Sequence, residues 1–489
     1  PADMPADEPA EMPADRPADL RTDLSGGVGS RVSGPLGLTG SLRVHVVGIG
    51  GAGMSAIALV LRAMGHRVSG SDLKDSPVVE RLRSHGITVA IGHRPEHVDG
   101  AEVVTYSPAV QPDNVELVAA GQQGARVVPR SEMLAAICAT RRCLAVAGTH
   151  GKTTTASMLA LILVEAGMRP SFVIGADVNE IGTNAVWDTG EWLVVEADES
   201  YGTFRAIRPD LAVLTNVEPD HLDYYRTFDA LREAFSSFVG SSALPAVVCA
   251  DDPEAAAVGR EHAAIAVGTD AAATYAIVGL QAARSSVTFR LRGPEGELGP
   301  LRVGVPGVHN ARNAAVATVA ALGAGAPFDA AQAALARFAG VPRRFEFRGE
   351  SGGVTFVDDY AHLPSEVRAA LATARSGGWS RVVAVFQPHR FSRTAALADQ
   401  FGPAFAEADV LVVTDVYGAG EHPVPGVSGR LVADAVRAQD PRLPVVYAAG
   451  WEELRQAVTA QLRPGDLCLT LGAGDLTVLP DQLLESPQW

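Results

Sequence analysis

The stretch AVAGTHGKTTT contains the residue types that bind nucleotide phosphates. Gly148 and Gly151 leave backbone amides free to surround phosphate oxygens, and Lys152 can reach the outer phosphates. Thr153 stands at the expected start of a helix, where its hydroxyl can hold Mg²⁺. Val146 occupies the position of the first glycine of the usual Walker pattern, so this is either a shortened nucleotide loop or a chance run of small residues.

The lysine in this stretch is one of only two in the chain. The 40 basic residues comprise 38 arginines together with Lys74 and Lys152. An ammonium is a compact charge that fits between phosphate oxygens, whereas a guanidinium is a broad planar fork. A chain that otherwise avoids lysine but keeps one here therefore favours the nucleotide interpretation.

Acidic residues follow two apolar segments further along the chain. WLVVEADES brings Glu196 to the end of a predicted strand, and LAVLTNVEPDHLD places His221 among several acids. Carboxylates at the buried end of a strand are costly unless they meet a cation, and Mg²⁺ prefers a few carboxylates with retained water. These residues predict a metal or substrate site, although a hydrogen-bonded surface position also fits His221.

Polar residues in the second half of the chain could complete such a site. GVHNARNAAVA opens a helix with Asn310 and Asn313, which contact a base or ribose or merely cap the helix. Arginines that follow a strand suit carboxylate or phosphate binding, the alternative being a solvated basic loop. The candidates from VPRRFE, FVDDYAHLP and FQPHRFSRT are Arg344, Asp359, Tyr360, His362, Arg390 and Arg393.

A second glycine loop, GIGGAG, lies between a predicted strand and a predicted helix. Gly48, Gly50 and Gly53 form the GxGxxG pattern, and Asp72 follows where it can bind ribose hydroxyls. The pattern alone fits an NAD-dependent dehydrogenase, another diphosphate-linked nucleoside such as a UDP-sugar, or a tight turn without a ligand.

The elements that must position these residues alternate regularly from Leu42 onward. Short apolar segments such as CLAVAG, LAVLTN and DLCLTLGAG are followed by polar loops and helical stretches. This alternation predicts an α/β protein with parallel, doubly wound sheets, whose ligands lie beyond the carboxyl ends of the strands. We expect a disordered tail of PADM-like repeats over residues 1–40 and three α/β domains over 41–140, 141–340 and 341–489.

The composition excludes several classes of protein. The net charge of −16 leaves no basic surplus for general nucleic-acid binding. The longest apolar runs, such as Leu159–Val164, fall short of the roughly 20 residues that span a bilayer. The four cysteines form no CxxC pair and no secretory signal is evident, so we expect a cytoplasmic protein with reduced thiols and no membrane insertion.

Nine segments, in this order, resemble those of the Mur ligase family, most closely its alanine-adding branch. They are GIGGAGMSAIA, GTHGKTTT, EADES, TNVEPDHLD, GVHNARNA, RRFE, DDYAHLPSEV, FQPHRFSRT and VYGAGEHPVPG, and they extend from about Val44 to Asp475. The family's phosphate loop has the short GTxGK form. The resemblance implies a Rossmann-like UDP-binding domain, a central P-loop ATPase domain and a Rossmann-like C-terminal domain that receives the amino acid.

The resemblance also implies the reaction and its small-molecule partners. ATP, with Mg²⁺, would phosphorylate the lactyl carboxylate of UDP-N-acetylmuramate, and the amine of L-alanine would then displace phosphate from the acyl phosphate. The protein would act in peptidoglycan synthesis as a monomer or homodimer. The rival activities are a sister ligase that adds a recycled peptide, an NAD-dependent oxidoreductase and a non-catalytic nucleotide sensor.

Residue roles are implied by motif position. The catalytic set would be Lys152, Glu196, His221, Arg344 and Asp359, with Thr153 on a first Mg²⁺ and Glu196 and His221 on a second. ATP would contact Gly148, Thr149, His150, Gly151, Lys152, Thr153, Thr154, Asn310 and Asn313. The UDP-sugar would contact Gly48, Gly50, Gly51, Gly53, Ser55 and Asp72, and L-alanine would contact Tyr360, His362, Arg390 and Arg393. Tyr201 and Leu363 depart from the family's usual Asp and His.

Overall fold

The first sheet of the protein is parallel throughout, in the order β3-β2-β1-β4-β5. We describe residues 36–485 of a computed structural model, so most of the predicted tail over residues 1–40 lies outside the described residues. The strands are β1 (Arg43–Val47), β2 (Arg67–Asp72), β3 (Thr88–Ile91), β4 (Val103–Tyr106) and β5 (Arg126–Pro129), and the helices are α1 (Ala52–Ala63), α2 (Pro77–Ser84), α3 (Val115–Gln122) and α4 (Arg130–Cys138).

The central sheet has ten strands in the order β15-β14-β13-β12-β11-β10-β6-β9-β7-β8, and its middle strands are parallel. The strands are β6 (Arg142–Ala147), β7 (Ser171–Val178), β8 (Thr183–Val186), β9 (Trp192–Glu196), β10 (Leu211–Leu214), β11 (Val247–Cys249), β12 (Ile265–Gly268), β13 (Tyr275–Ala283), β14 (Ser286–Gly293) and β15 (Gly296–Val303). The helices are α5 (Lys152–Glu165), α6 (Leu222–Tyr225), α7 (Phe228–Gly240), α8 (Pro253–Glu261), α9 (Val308–Gly323) and α10 (Phe328–Arg337).

The third sheet has the order β16-β17-β21-β18-β19-β20, with only β16 antiparallel to its neighbour. The strands are β16 (Glu346–Ser351), β17 (Val354–Asp359), β18 (Arg381–Phe386), β19 (Val410–Val413), β20 (Val445–Tyr447) and β21 (Asp466–Leu471). The helices are α11 (Pro364–Ser376), α12 (Phe391–Phe401), α13 (Gly429–Gln439), α14 (Trp451–Gln461) and α15 (Leu479–Glu485).

Burial on both faces explains why the middle strands are nearly all apolar. Residues 143–147 of β6 and all of β10 are buried, as parallel strands covered by helices on both faces require. Helix α5 is buried over Thr154–Leu163 because it packs on strands of the central sheet and also against α9 and α10. The helix after the phosphate loop is therefore held rigidly.

The predicted α/β class with parallel sheets is confirmed. The domain limits at residues 40, 140 and 340 stay predictions. Between residues 36 and 485, no helix is both long enough and apolar enough to cross a membrane.

Candidate active site

The stretch AVAGTHGKTTT contains a tight turn between β6 and α5. At two positions of this turn, Gly148 and Gly151, only glycine fits. Gly148 has φ 138° and Gly151 has φ 76°. A Cβ on Gly148 would lie 2.0 Å from Thr215 Oγ1, and one on Gly151 would lie 2.8 Å from Asn313 Oδ1. The turn therefore places the amino end of α5, with its free amides, at the carboxyl edge of the central sheet, which is an anion-binding geometry.

The ammonium of Lys152 already has an anionic partner within the site. It donates to Glu199 Oε2 at 2.7 Å and to the carbonyl oxygen of Gly148 at 2.7 Å. Although burial favours the neutral amine, the Glu199 and Asp198 carboxylates raise the pKa of Lys152. The lysine is therefore charged and points into the loop, and Glu199, one of the acids that follow β9, supplies its counter-charge.

The acidic residues divide into two adjoining groups at the same edge. Thr153 Oγ1 donates to Glu196 Oε1 at 3.0 Å, which joins two of the three predicted metal ligands. The third, His221, lies instead with Glu199 and Asp220, whose ligand atoms are all within 4.8 Å of one another. Hydroxyl and carboxylate oxygens suit Mg²⁺, so the first group fits that ion.

A cavity of about 340 Å³ opens between the phosphate loop and the third sheet. Thr154 lines it, whereas Thr149 is buried and exchanges hydrogen bonds with the backbone of Glu218. Asn313 faces Gly151, and Asn310 donates to the carbonyl oxygen of Pro306 at 2.6 Å. The walls include His150, Gly151, Thr154, Asn216, Asp251, His309, Asn310, Arg312, Asn313, Arg344, Asp359 and Glu366, so most of the predicted ATP contacts meet here.

An ion pair connects the phosphate loop to the third sheet. His150 Nδ1 lies 3.1 Å from Glu366 Oε1, and its Nε2 lies 3.4 Å from Glu218 Oε2. Burial alone would lower the pKa of His150, but the carboxylates of Glu366 and Glu218 raise this pKa to about 9. Glu366 was missed in the sequence. The sequence feature that could have indicated Glu366 is its position four residues after His362, in the first turn of α11.

Arg344 and Asp359 lie on the third-sheet side of the cavity. The Asp359 carboxylate accepts backbone hydrogen bonds from Phe345 and Ala361, both at 2.8 Å. Burial nevertheless raises its pKa to about 6, against the influence of Arg344. Arg344 Nη1 lies 3.6 Å from Glu366 Oε1, and its guanidinium carbon lies 5.0 Å from the centre of the Tyr360 ring.

The predicted amino-acid residues reach the acidic edge of the central sheet through Arg393. Its guanidinium donates to Asp220 Oδ1 at 2.9 Å and lies 3.0 Å from His389 Nδ1. The His362 and His389 rings are 5.4 Å apart, and burial lowers the pKa of both, that of His389 to about 3. Among the described residues, the buried Nε of Arg390 has no hydrogen-bond partner.

Leu363, the described one of the two departures, is buried at the start of α11, and its amide lies 3.2 Å from Glu366 Oε2. The side chain of Tyr201 lies outside those that the structure describes.

The glycine loop of the first sheet is held largely by its own neighbours. Asp72 Oδ2 accepts from the amide of Gly50 at 2.8 Å, and the buried Ser55 hydroxyl donates to the carbonyl of Ala52. The guanidinium of Arg130 covers Gly53, 2.7 Å from where a Cβ would stand, and donates to Asp198 Oδ2 at 3.2 Å. Arg130 was missed in the sequence, and it connects this loop to the acidic edge of the central sheet. The remaining loop glycines, Gly48 and Gly51, lie in the turn between β1 and α1.

Known proteins of similar sequence share this architecture. Three Mur ligase family models match in chain order, described as the catalytic domain over residues 43–142, the middle domain over 146–321 and the glutamate ligase domain over 343–474. The UDP-N-acetylmuramate--L-alanine ligase of Anaeromyxobacter sp. (strain Fw109-5) is 44% identical over 446 residues, which cover 90% of this chain and 97% of that one. The Saccharopolyspora erythraea protein of the same name is 46% identical over 458 residues, covering 90% and 92%.

Solved structures agree with these relatives. The crystal structure of the UDP-N-acetylmuramate-alanine ligase of Thermotoga maritima matches with a TM-score of 0.76 at 27% identity, over 91% of this chain and 98% of that one. The murein peptide ligase of Psychrobacter arcticus 273-4 shares the fold with a TM-score of 0.66 at 24% identity, over 91% and 98%. On the family matches and these relatives, the chain belongs to the Mur ligase family.

Proposed function

We propose that this chain is an ATP-dependent ligase that joins L-alanine to the lactyl carboxylate of UDP-N-acetylmuramate. The observation that carries the proposal is the contact between Arg393 and Asp220, because it brings the predicted amino-acid residues to the acidic edge beside Lys152. The activated carboxylate and the incoming amine must meet at such a junction. The names of the relatives support the choice of substrates.

The phosphate loop would perform the first step. A lactyl carboxylate oxygen attacks the γ-phosphorus of ATP, the bond to the β-phosphate oxygen breaks, and ADP leaves. Lys152 and the amides at the start of α5 offset the charge that gathers on the transferred phosphoryl group. Thr153 and Glu196 would hold a Mg²⁺ ion, which supplies further charge neutralisation when bound, and His221 would hold a second ion together with Glu199 and Asp220.

The third sheet would perform the second step. The nitrogen of L-alanine attacks the acyl carbon, the tetrahedral intermediate expels inorganic phosphate, and the amide forms with loss of an amine proton. An arginine such as Arg393 or Arg390 suits the alanine carboxylate. Because burial keeps the His362 and His389 rings neutral at pH 7, neither ring repels the incoming ammonium, which must lose a proton before its nitrogen can attack.

The first sheet would bind the UDP group. The glycine loop and Asp72 lie beyond the carboxyl ends of parallel strands, and Arg130 places a cation between this loop and the acidic edge. We assign Arg130 to the diphosphate or the sugar acid, because a guanidinium matches either anion. The need for ATP would place the reaction in the cytoplasm.

Phosphate release tests the proposal. Purified protein is supplied with ATP, Mg²⁺, UDP-N-acetylmuramate and L-alanine, and each component is omitted in turn. We expect release only with all four. Release when a muropeptide-type tripeptide, but not L-alanine, is the amine would favour the peptide-adding sister activity. ATP binding without release under any condition would contradict a ligase and favour a nucleotide sensor.

A further inference from the structure

A fully buried carboxylate lies behind the glycine loop of the first sheet and takes no part in the site described above. Glu116, in the first turn of α3, has no exposed surface. Ser71 Oγ donates to its Oε2 at 2.5 Å, and the Nδ1 atoms of His93 and His97 lie 3.0 Å and 2.7 Å from its two oxygens. The backbone amide of Arg94 adds a contact of 3.3 Å.

These partners come from separate segments of the chain. Ser71 belongs to the end of β2, and His93 and Arg94 follow β3. His97 lies in the short 3-10 helix before β4. The Glu116 carboxylate therefore links the end of β2 to the loops that follow β3. These segments lie at the carboxyl edge of the first sheet, where an open parallel sheet binds its ligand.

Ser71 passes this restraint directly to the glycine loop. Its carbonyl oxygen accepts from the amides of Gly48 and Ile49 at 2.9 Å and 3.0 Å. The next residue, Asp72, accepts from the amide of Gly50. Three consecutive amides of the turn therefore donate hydrogen bonds to Ser71 and Asp72 of β2. The side chain of Ser71 is in turn hydrogen-bonded to Glu116.

The chemistry of this cluster requires a carboxylate. A carboxylate accepts several hydrogen bonds on its two oxygens, whereas a glutamine has one acceptor oxygen and would turn an NH₂ group toward some of the donors. Burial works against the charge, but the nearby His45 ring and the hydrogen bonds from Ser71 and His97 lower the pKa of Glu116 to about 2. The carboxylate is thus ionised and satisfied, as a buried charge must be.

We infer that Glu116 is a positioning residue for UDP-sugar binding. It fixes the position of Ser71, and thereby the conformation of the glycine turn, without touching the ligand. The inference rests on the proposed function, since it assumes that the first sheet binds the UDP group. Loss of Glu116 should therefore weaken UDP-N-acetylmuramate binding selectively, leaving the nucleotide cavity of the central sheet intact.

The experiment compares Glu116→Gln with wild type by calorimetric titration and steady-state kinetics. We expect the Kd and KM for UDP-N-acetylmuramate to rise roughly 10- to 100-fold, as the loss of a buried hydrogen-bonded partner implies, with kcat and the KM for ATP within about twofold. His66→Gln is the matched control. His66 is also buried, but it precedes β2 at the end of the strand away from Ser71, where it accepts a hydrogen bond from the amide of Leu42.

A second variant keeps the test decisive if Glu116→Gln does not fold. Ser71→Ala removes only the side-chain connection, and we expect a smaller rise in the same Kd. Where Glu116→Gln does fold, the effect of Ser71→Ala should largely disappear in the double variant, because the connection is already lost. Unchanged substrate affinity in a folded variant, an equal loss of ATP affinity, or additive effects in the double variant would each overturn the inference.

The wild-type titration separates this inference from the proposed function. If wild-type protein does not bind UDP-N-acetylmuramate, the proposed function is wrong. If it binds and the variants bind equally well, only the role of Glu116 is wrong.

Discussion

At the scale of single residues, the nucleotide loop depends on the shape of a side chain as much as on its charge. Lys152 Nζ lies within 3.2 Å of two loop carbonyl oxygens and both oxygens of Glu199. Four acceptors around one nitrogen suit a compact ammonium with rotating donors. A planar guanidinium does not reproduce that arrangement.

Lys152→Arg should therefore lower kcat by roughly a thousandfold or more, although the charge is kept, because the fork does not fit the short turn. Lys74→Arg is the matched control, since the only other lysine is exposed, and its KM for ATP should be unchanged. Phosphate release with all substrates present is the measurement. Substantial activity in Lys152→Arg would show that charge alone suffices.

At the scale of elements, the phosphate loop and α11 are joined by the ion pair of His150 with Glu366. The imidazole belongs to the phosphate loop and the carboxylate to the first turn of α11. Glu366 also accepts from the amides of His362 and Leu363, so it fixes the loop that carries the predicted alanine contacts. The pair thus connects the phosphate loop to the loop that we propose binds L-alanine.

This pair predicts a pH dependence of stability. The pKa of His150 is about 9 in the folded protein and near 6.5 when unfolded, so its stabilisation is complete below pH 6.5 and is lost as the pH rises through about 9. The shift corresponds to about 3 kcal/mol. In thermal unfolding without ligands, the Tm difference between wild type and His150→Gln should shrink from pH 6.5 to pH 9.5.

The exposed His262 provides the control for this experiment. His262→Gln should follow the wild-type pH profile. A constant Tm difference between wild type and His150→Gln over the whole range would mean that the imidazole is neutral in the folded protein.

At the scale of the whole molecule, the nucleotide cavity has walls from both the central and the third sheet. Ser365, Glu366, Ala369 and Ala370 of α11 line it together with the phosphate loop. A ligand that fills such a cavity stabilises both bodies at once, because it binds only when both walls are in place.

Hydrogen exchange would detect this coupling. A non-hydrolysable ATP analogue with Mg²⁺ should slow amide exchange in the phosphate loop and in α11. Helix α14 packs on β19 of the third sheet and on α15. Its amides should exchange at the same rate with and without the analogue. Protection of the phosphate loop alone would show that the third sheet does not take part in nucleotide binding.

The sequence predicts three mainly parallel sheets and the candidate residues that follow their strands, because apolar runs and polar loops alternate along the chain. Thr153 and Glu196, for example, meet because β6 and β9 are neighbouring parallel strands. The sequence does not predict the antiparallel pairs at the edges of the central and third sheets. It does not predict partners that depend on how the sheets pack together. His150 and Glu366 are 216 residues apart, and Arg130 and Asp198 are 68 apart, so neither pair leaves a local pattern.

The ion pair of Lys152 with Glu199 has a consequence for the order of assembly. A phosphate that contacts Lys152 would compete with the Glu199 carboxylate for the same ammonium, so we expect nucleotide entry to be an exchange of anions. Glu199 already lies beside Asp220 and His221, so its carboxylate, once freed from Lys152, would attract a cation to this group. Nucleotide and divalent ion should thus promote each other's binding by the same factor, a reciprocity that thermodynamic linkage requires.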